Sequence, residues 1–267
     1  MDIDELTILG GYGKTGEKES VGEVELKMGK IVSVVGPTGS GKTELINDIE
    51  RFANENTPSK RRILINGTVA PPEFTDDPAR NPIALITQHT NFLSDMPVYD
   101  FLKTHAEIRQ GNGTEGVVDR TLDFANQLTG ESIILQNAMT ELSGGQTRAL
   151  LIADAVVIGN SPIILLDEIE NAGIHRTKAL ELLKEYMKIF IFVTHDPRIA
   201  LLSDLRIVMA NGSMQKLIMK DPKEKRVSDE LAKMDDILSD YRSKIRAGEL
   251  LDEEEMVNKL RALGYIA

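Results

Sequence analysis

The chain has 267 residues, 41% of them hydrophobic, and a formal net charge of −11. That length can hold one large domain, or one domain with an appendage, and the charge disfavours a general affinity for nucleic acid or anionic lipid. Cysteine is absent, which excludes disulfides, thiolate metal sites and thiol nucleophiles. No run reaches the roughly 18–20 apolar residues of a membrane span, and the acidic Met1-Asp2-Ile3-Asp4-Glu5 is unlike a signal peptide. A cytoplasmic protein without nucleic-acid partners is expected.

Residues 3–9 and 21–27 predict strands. Between them, Gly10-Gly11-Tyr12-Gly13-Lys14-Thr15-Gly16 imitates a phosphate loop, but Ile8 stands where the leading glycine is required. Tyr12 has two readings: a flat ring on a strand-end loop that stacks on adenine, or an ordinary loop tyrosine. Next, Ile31-Val32-Ser33-Val34-Val35 predicts a buried strand, and Glu44 to Phe52 carries apolar residues at helical spacing. Between strand and helix lies Gly36-Pro37-Thr38-Gly39-Ser40-Gly41-Lys42-Thr43, a match to G-x-x-x-x-G-K-[ST] in the context that pattern needs. Its glycines let successive backbone N–H groups turn toward one anion, and the helix N-terminus adds partial positive charge. Lys42 is placed to reach β- and γ-phosphates and the Thr43 hydroxyl to ligate Mg²⁺, so a nucleoside triphosphate is the expected ligand.

Further strands are expected at 61–67 and 83–87, the second ending on Gln88, with an exposed loop at 70–82 between them. From His89 to about Asn160 the pattern is helical, with helices at Val98–Gln110 and Val117–Leu128, and suggests an inserted helical subdomain. Inside it, Leu142-Ser143-Gly144-Gly145-Gln146 opens an apolar helix running to Val156, another helix N-terminus suited to an anion, or a plain N-cap. Ser161-Pro162 stops that helix, and Ile163-Ile164-Leu165-Leu166 predicts a buried strand ending in Asp167-Glu168. Two carboxylates there are costly beside a core without a cation. Asp167 is assigned to the Mg²⁺ shell and Glu168 to orienting and deprotonating an attacking water. A helix from Lys178 to Tyr186 leads to the strand Ile189–Thr194. That strand ends at His195, which leaves on the edge where the phosphate-facing groups collect. Residues 206–209 and 215–219 predict a hairpin around Asn211-Gly212. Ser59-Lys60-Arg61-Arg62 and Lys223-Glu224-Lys225-Arg226, the only dense basic spots, are expected to be solvated surface.

These residues together resemble the ATP-binding cassette (ABC) ATPases, over about 1–219. The motifs stand in the family's order: Walker A at 36–43, the Q-loop glutamine Gln88, the LSGGQ signature at 142–146, Walker B at 163–168 and the switch histidine His195. The resemblance implies an α/β P-loop core, with a parallel sheet flanked by helices, an N-terminal antiparallel β subdomain and the helical subdomain at about 89–160. It places Tyr12 where the family stacks adenine. It also implies a head-to-tail dimer, of two copies or with a paralogous subunit, in which Ser143, Gly144, Gly145 and Gln146 close on an ATP held by the other subunit's Gly36–Thr43. Gln88 would contact Mg²⁺ or the attacking water, and hydrolysis would run on positioning by Lys42, Gln88, Glu168 and His195. One departure stands out. The family usually continues Walker B with Pro-Thr-Ser-x-Leu-Asp, whereas this chain reads Ile169-Glu170-Asn171-Ala172-Gly173-Ile174-His175, with Ile174 at the aspartate position. Slow or partner-dependent hydrolysis is therefore expected.

Two roles fit the resemblance. One is the nucleotide-binding subunit of a membrane transporter, peripheral on the inner face of the membrane, with Phe92–Leu102 fitting the surface for the spanning subunits. The other is a soluble ATPase that remodels a cytoplasmic protein partner.

Residues 220–267 lie beyond this region and predict a helical hairpin. Ser228 is expected as the first N-cap, with a seam of Val227, Leu231, Met234, Leu238, Tyr241 and Ile245. Gly248 ends that helix, and Asp252–Glu255 is expected to form a capping box for a second, which ends at Gly264. The hairpin is weakly similar to short C-terminal oligomerisation hairpins. It either packs on the rest of the chain or docks a partner.

Overall fold

In Glu23-Val24-Glu25-Leu26-Lys27, Val24 and Leu26 are buried while the charged residues face out, the period-two pattern of a sheet with one wet face. By contrast, Ile163–Leu166 and Ile189–Val193 are buried at every position, as strands covered on both faces must be. The computed structural model describes residues 2–77, 80–87, 89–90, 92, 94–111, 116–129, 131–168 and 176–266. Gln88 and the non-standard run 169–175 lie outside the described residues.

The strands in chain order are β1 (Glu5–Leu9), β2 (Glu23–Lys27), β3 (Ile31–Val35), β4 (Arg62–Ile65), β5 (Thr68–Val69), β6 (Ile83–Ile86), β7 (Ile163–Asp167), β8 (Ile189–Val193), β9 (Leu205–Ala210) and β10 (Ser213–Met219). One sheet is antiparallel, in the order β2-β1-β4-β5, and the other is mixed, in the order β10-β9-β3-β8-β7-β6. In the mixed sheet β6, β7, β8, β3 and β9 run parallel. β10 returns antiparallel through Asn211 (φ 52°) and Gly212 (φ 79°), a left-handed pair suited to a tight hairpin. Among the described residues the molecule is α/β, with helices around the mixed sheet and a separate antiparallel sheet, as the resemblance implies.

The helices are α1 (Lys42–Glu50), α2 (Glu73–Asp76), α3 (Val98–Gln110), α4 (Val117–Leu128), α5 (Gly144–Ala153), α6 (Arg176–Lys184) and α7 (Pro197–Leu202), then α8 (Glu224–Arg246) and α9 (Glu253–Ala262). Two differ from expectation in the first part of the chain. The stretch 70–82, expected as an exposed loop, contains α2. Its Phe74 is buried, 5.9 Å from Phe52 between ring centroids, so one aromatic anchors an otherwise polar segment. After Ala153 the expected helix widens into a π turn, Asp154–Ile158. There Asp154 Oδ1 lies 2.7 Å from Nδ1 of His105 on α3.

The chain divides into two compact units, Met1–Lys220 and Asp221–Ala267. In the second, α8 starts a turn earlier than expected. Asp221 Oδ1 accepts the Lys223 N–H at 2.8 Å, and Ser228 sits inside the helix. The first helix ends at Arg246 with Gly248 at φ 76°. Asp252 caps α9 by accepting the Glu254 N–H. The expected capping box does not close, because Glu255 turns to Lys244 and Lys259. Opposite charge outcompetes a backbone N–H for this carboxylate. Within this unit Val227, Met234, Leu238 and Ile245 of the expected seam are exposed, and Leu231 and Tyr241 are half-buried.

Candidate functional site

Adjacent parallel strands bring the chemistry to one edge. β3 lies beside β8, and β8 beside β7, with Val34 and Asp167 both level with Val193. The segments that follow these strands start at Gly36, Glu168 and Thr194, so the phosphate loop, the carboxylates and His195 gather at their C-terminal ends. In open α/β sheets this is where ligands bind.

The phosphate loop needs its glycines for room as well as for rotation. Gly36 has φ 154°, and a Cβ there would lie 2.3 Å from the Met209 carbonyl oxygen. Gly41, at φ 95°, caps α1 and would drive a Cβ to 2.7 Å from the Cα of Gly212. The loop thus rests on the β9–β10 turn, and the Gly212 N–H donates to the Ser40 carbonyl at 2.8 Å. Pro37, Thr38 and Gly39 are exposed on the loop's outer side, as is Thr43 on the first turn of α1. Lys42 is buried, its Nζ donating to the carbonyls of Gly36 at 2.9 Å and Pro37 at 3.1 Å. The buried Ser40 Oγ has no hydrogen-bond partner among the described residues. An ammonium on loop carbonyls and an unsatisfied hydroxyl inside the loop fit a site that takes an anion with many acceptor oxygens.

Glu168 follows β7 with φ 50°, a left-handed conformation that costs energy for a residue other than glycine and is concentrated at functional sites. Its N–H is fixed on the Val193 carbonyl at 3.0 Å. Glu168 Oε1 lies 3.6 Å from His195 Nε2, so the expected base and the switch histidine come together. His195 is held on both sides. The Asp196 N–H donates to Thr194 Oγ1 at 2.9 Å, and Asp196 Oδ1 caps α7 by accepting the Arg198 N–H at 2.7 Å, with Pro197 at the first helical position. Asp167 closes β7 beside them. Thr43 supplies a hydroxyl and Asp167 a carboxylate. That sparse oxygen set suits Mg²⁺, which keeps waters and takes ligands from bound phosphates.

The signature forms a full capping box. Ser143 Oγ accepts the Gln146 N–H at 3.3 Å, and Gln146 Oε1 accepts the Ser143 N–H at 2.9 Å. Gln146 Nε2 also donates to the Ser132 carbonyl, and Leu142 is buried beneath. Ser143 and Gly144 stay exposed and Gly145 is half-buried. Among the described residues, no hydrogen bond joins Ser143–Gln146 to Gly36–Thr43.

On the opposite flank, the loop carrying Tyr12 lies against the phosphate loop. Lys14 Nζ donates to the Gly39 carbonyl at 2.8 Å and the Lys14 N–H to the Asn211 carbonyl at 2.9 Å, while the Tyr12 ring is 47% exposed. The glycine loop 10–16, a failed copy of the motif, is thus a wall of the real one. Sequence reasoning missed a second feature here. Arg61, expected on a solvated basic patch, is fully buried in ion pairs with Glu19 and Asp48. A signal was present, since Asp48 stands among the apolar Leu45, Ile46 and Ile49 of α1, all buried, and a carboxylate there needs a cation.

Residues 22–171, more than half of the chain, match the family model for ABC transporter. The chain belongs to the ABC transporter family. An uncharacterised ABC transporter ATP-binding protein of Methanocaldococcus jannaschii is 52% identical over 256 residues, spanning 96% of this chain and 98% of that one. The spermidine/putrescine import ATP-binding protein PotA of Bacteroides fragilis is 31% identical over 76% of this chain, which spans only 44% of PotA. Among solved structures, the ATP-binding cassette in a dimeric post-hydrolysis state with ADP and Pi superimposes with TM-score 0.60 at 22% identity, covering 81% of this chain and 99% of that one. CbiO1 of Clostridium perfringens gives 0.61 at 23%, covering 86% and 93%. The protein is an ABC ATPase, of a family that binds and hydrolyses ATP. No described helix is long and apolar enough to cross a membrane.

Proposed function

We propose that this ABC ATPase binds MgATP between two subunits and uses hydrolysis to drive spanning subunits of a transporter held in separate chains. The 3.6 Å approach of Glu168 to His195 at the mouth of the phosphate loop carries the catalytic part. The loop N–H groups and Lys42 take the β- and γ-phosphates, and Tyr12 stacks on the adenine. Thr43 and Asp167 would hold Mg²⁺, which would neutralise phosphate charge, and Gln88, outside the described residues, is assigned to the same ion or to the attacking water. Glu168 orients water and accepts its proton, and His195 faces the γ-phosphate. Nothing here forms a covalent intermediate: the work is positioning and charge stabilisation.

The exposed capping box Ser143–Gln146, bonded to Glu131 and Ser132 rather than to the phosphate loop, supports completion of the site by a second copy or a paralogous subunit. Glu168→Gln keeps the side chain's shape but removes its basicity. In that variant ATP binding persists, turnover falls by at least 10²-fold, and a dimer accumulates with ATP in size-exclusion chromatography. Turnover at the parental rate sinks the assignment. Lys42→Ala instead weakens nucleotide binding itself.

The transporter role draws on the names of the relatives from Methanocaldococcus jannaschii and Bacteroides fragilis. It predicts co-purification from membranes with a multi-span polypeptide. Recovery only with a cytosolic protein favours the second reading, a soluble remodelling ATPase, for which the additional unit Asp221–Ala267 supplies a candidate docking element.

A further inference from the structure

Three walls of the proposed nucleotide site meet on one guanidinium. Arg61 and Glu19 have side chains with 0% exposure. Arg61 Nε and Nη2 donate to the two Glu19 oxygens at 3.2 and 2.7 Å, and Nη1 donates to Asp48 Oδ2 at 2.8 Å. Nη2 also donates to the Gly212 carbonyl at 2.8 Å. Each partner belongs to a different wall. Glu19 Oε2 accepts the N–H of Gly11, beside Tyr12, and Oε1 accepts that of Met214. Asp48 lies on α1, behind the phosphate loop, and accepts Ser59 Oγ–H at 2.7 Å; the Ser59 carbonyl takes the Tyr12 N–H at 2.7 Å. Gly212 belongs to the turn that supports Ser40.

Burial alone lowers the pKa of this guanidinium, but the hydrogen bonds and charges of Glu19 and then Asp48 outweigh that and raise it. The group is a permanent cation. A buried ion pair is rarely retained for stability alone, since well-packed apolar residues often serve as well. An apolar side chain, however, cannot hold the Glu19 carboxylate that orients Gly11 and at the same time bind the Gly212 carbonyl. A planar fork of five donors can.

We propose that Arg61 is a positioning residue for the nucleotide, setting the Tyr12 loop in register with the phosphate loop through Glu19, Asp48 and Gly212. The proposal rests on the nucleotide reading above. Its consequence is selective. A ligand that spans base and phosphates feels the register, whereas one that occupies only the phosphate cradle does not.

The test is calorimetric titration of the full chain with MgATP and with magnesium tripolyphosphate, which lacks the nucleoside. Glu19→Gln keeps shape and leaves Arg61 its bond to Asp48. It is expected to weaken MgATP about tenfold while tripolyphosphate affinity stays within about twofold. In a Tyr12→Ala background the same change is expected to cost almost nothing more, because the two residues act on one contact. Equal losses for both ligands, or no loss for either, overturn the proposal. Thermal unfolding monitors the fold, and Arg61→Lys, which keeps the charge but loses the fork, repeats the comparison should Glu19→Gln fail to fold. If the parental chain binds ATP and Lys42→Ala does not, the nucleotide reading stands whichever way the Glu19 result falls. If the parental chain binds neither ligand, both fail.

Discussion

The chain contains two charge networks of similar composition and opposite meaning. Arg61 with Glu19 and Asp48 is sealed in the first unit, among β-strands and α1. Lys244, Lys259, Asp240 and Glu255 in the second unit link α8 to α9 at the surface. The hydrogen bonds that Lys259 donates to Asp240 and then Glu255 raise its pKa, and those that Glu255 accepts from Lys244 and Lys259 lower its own. The interactions are present in both places, but water competes in only one. Desolvated charges have no alternative partner, so geometry there is enforced; exposed pairs exchange with solvent and add little. Packing follows the same division. The first unit buries two large apolar clusters on either side of its mixed sheet, while among the described residues no apolar side chain beyond Met214 is buried.

The largest test of that contrast is Arg61→Met. It strands two buried carboxylates, and the expected loss is about 3–5 kcal/mol in urea unfolding. A loss under about 1 kcal/mol would show that the network is solvated and the contrast false. Next comes Lys188, buried just before β8, with Nζ donating to Asn160 Oδ1 at 2.8 Å and the Ser161 carbonyl at 3.0 Å. Burial pushes its pKa down from 10.5 to about 8. Below pH 8 both folded and unfolded chains carry the proton, and the folded one bears the full desolvation cost. Between pH 8 and 10.5 the unfolded chain binds more protons, so this residue makes stability rise with pH. Lys188→Met should remove that rise, about 3 kcal/mol from the size of the shift. Parallel stability–pH curves for parent and variant would falsify the buried state of the ammonium.

The sequence was most legible where one physical demand acts alone. Continuous apolar runs identified β3, β7 and β8, and period 3.6 located α3 and α4. A strand, a glycine loop and a helix together exposed Gly36–Thr43 because phosphate binding requires that local geometry. It was least legible where partners lie far apart in the chain. Arg61 meets Gly212 across 151 positions and Glu19 across 42, and a lone arginine beside Lys60 and Arg62 looks like surface. The left-handed backbone of Glu168 was equally hidden, since strain belongs to the assembled strand ends rather than to the residue. In the second unit Ser228 misled because a good cap is only one competitor. Asp221-Pro222, about two turns earlier, also starts a helix, and local preference does not decide between two such starts when little packing adds to either.

The smallest expected effect is in that unit and is the sharpest check on the second half of the contrast. Glu255→Gln removes the carboxylate that joins Lys244 to Lys259 across the hairpin. Since these side chains are only half-buried and water still reaches them, the change should speed amide hydrogen exchange along α9 in the full chain by only a few-fold, leaving the amides of β7 and β8 unaltered. Raising ionic strength to about 1 M, where the Debye length shrinks to ~3 Å, should bring parental α9 exchange close to that of the variant. If α9 amides instead exchange as slowly as those of β7, and salt has no effect, then this network is shielded from water like the one around Arg61. The seam of Val227, Met234, Leu238 and Ile245 would then have to be covered in solution, by the first unit or by a partner.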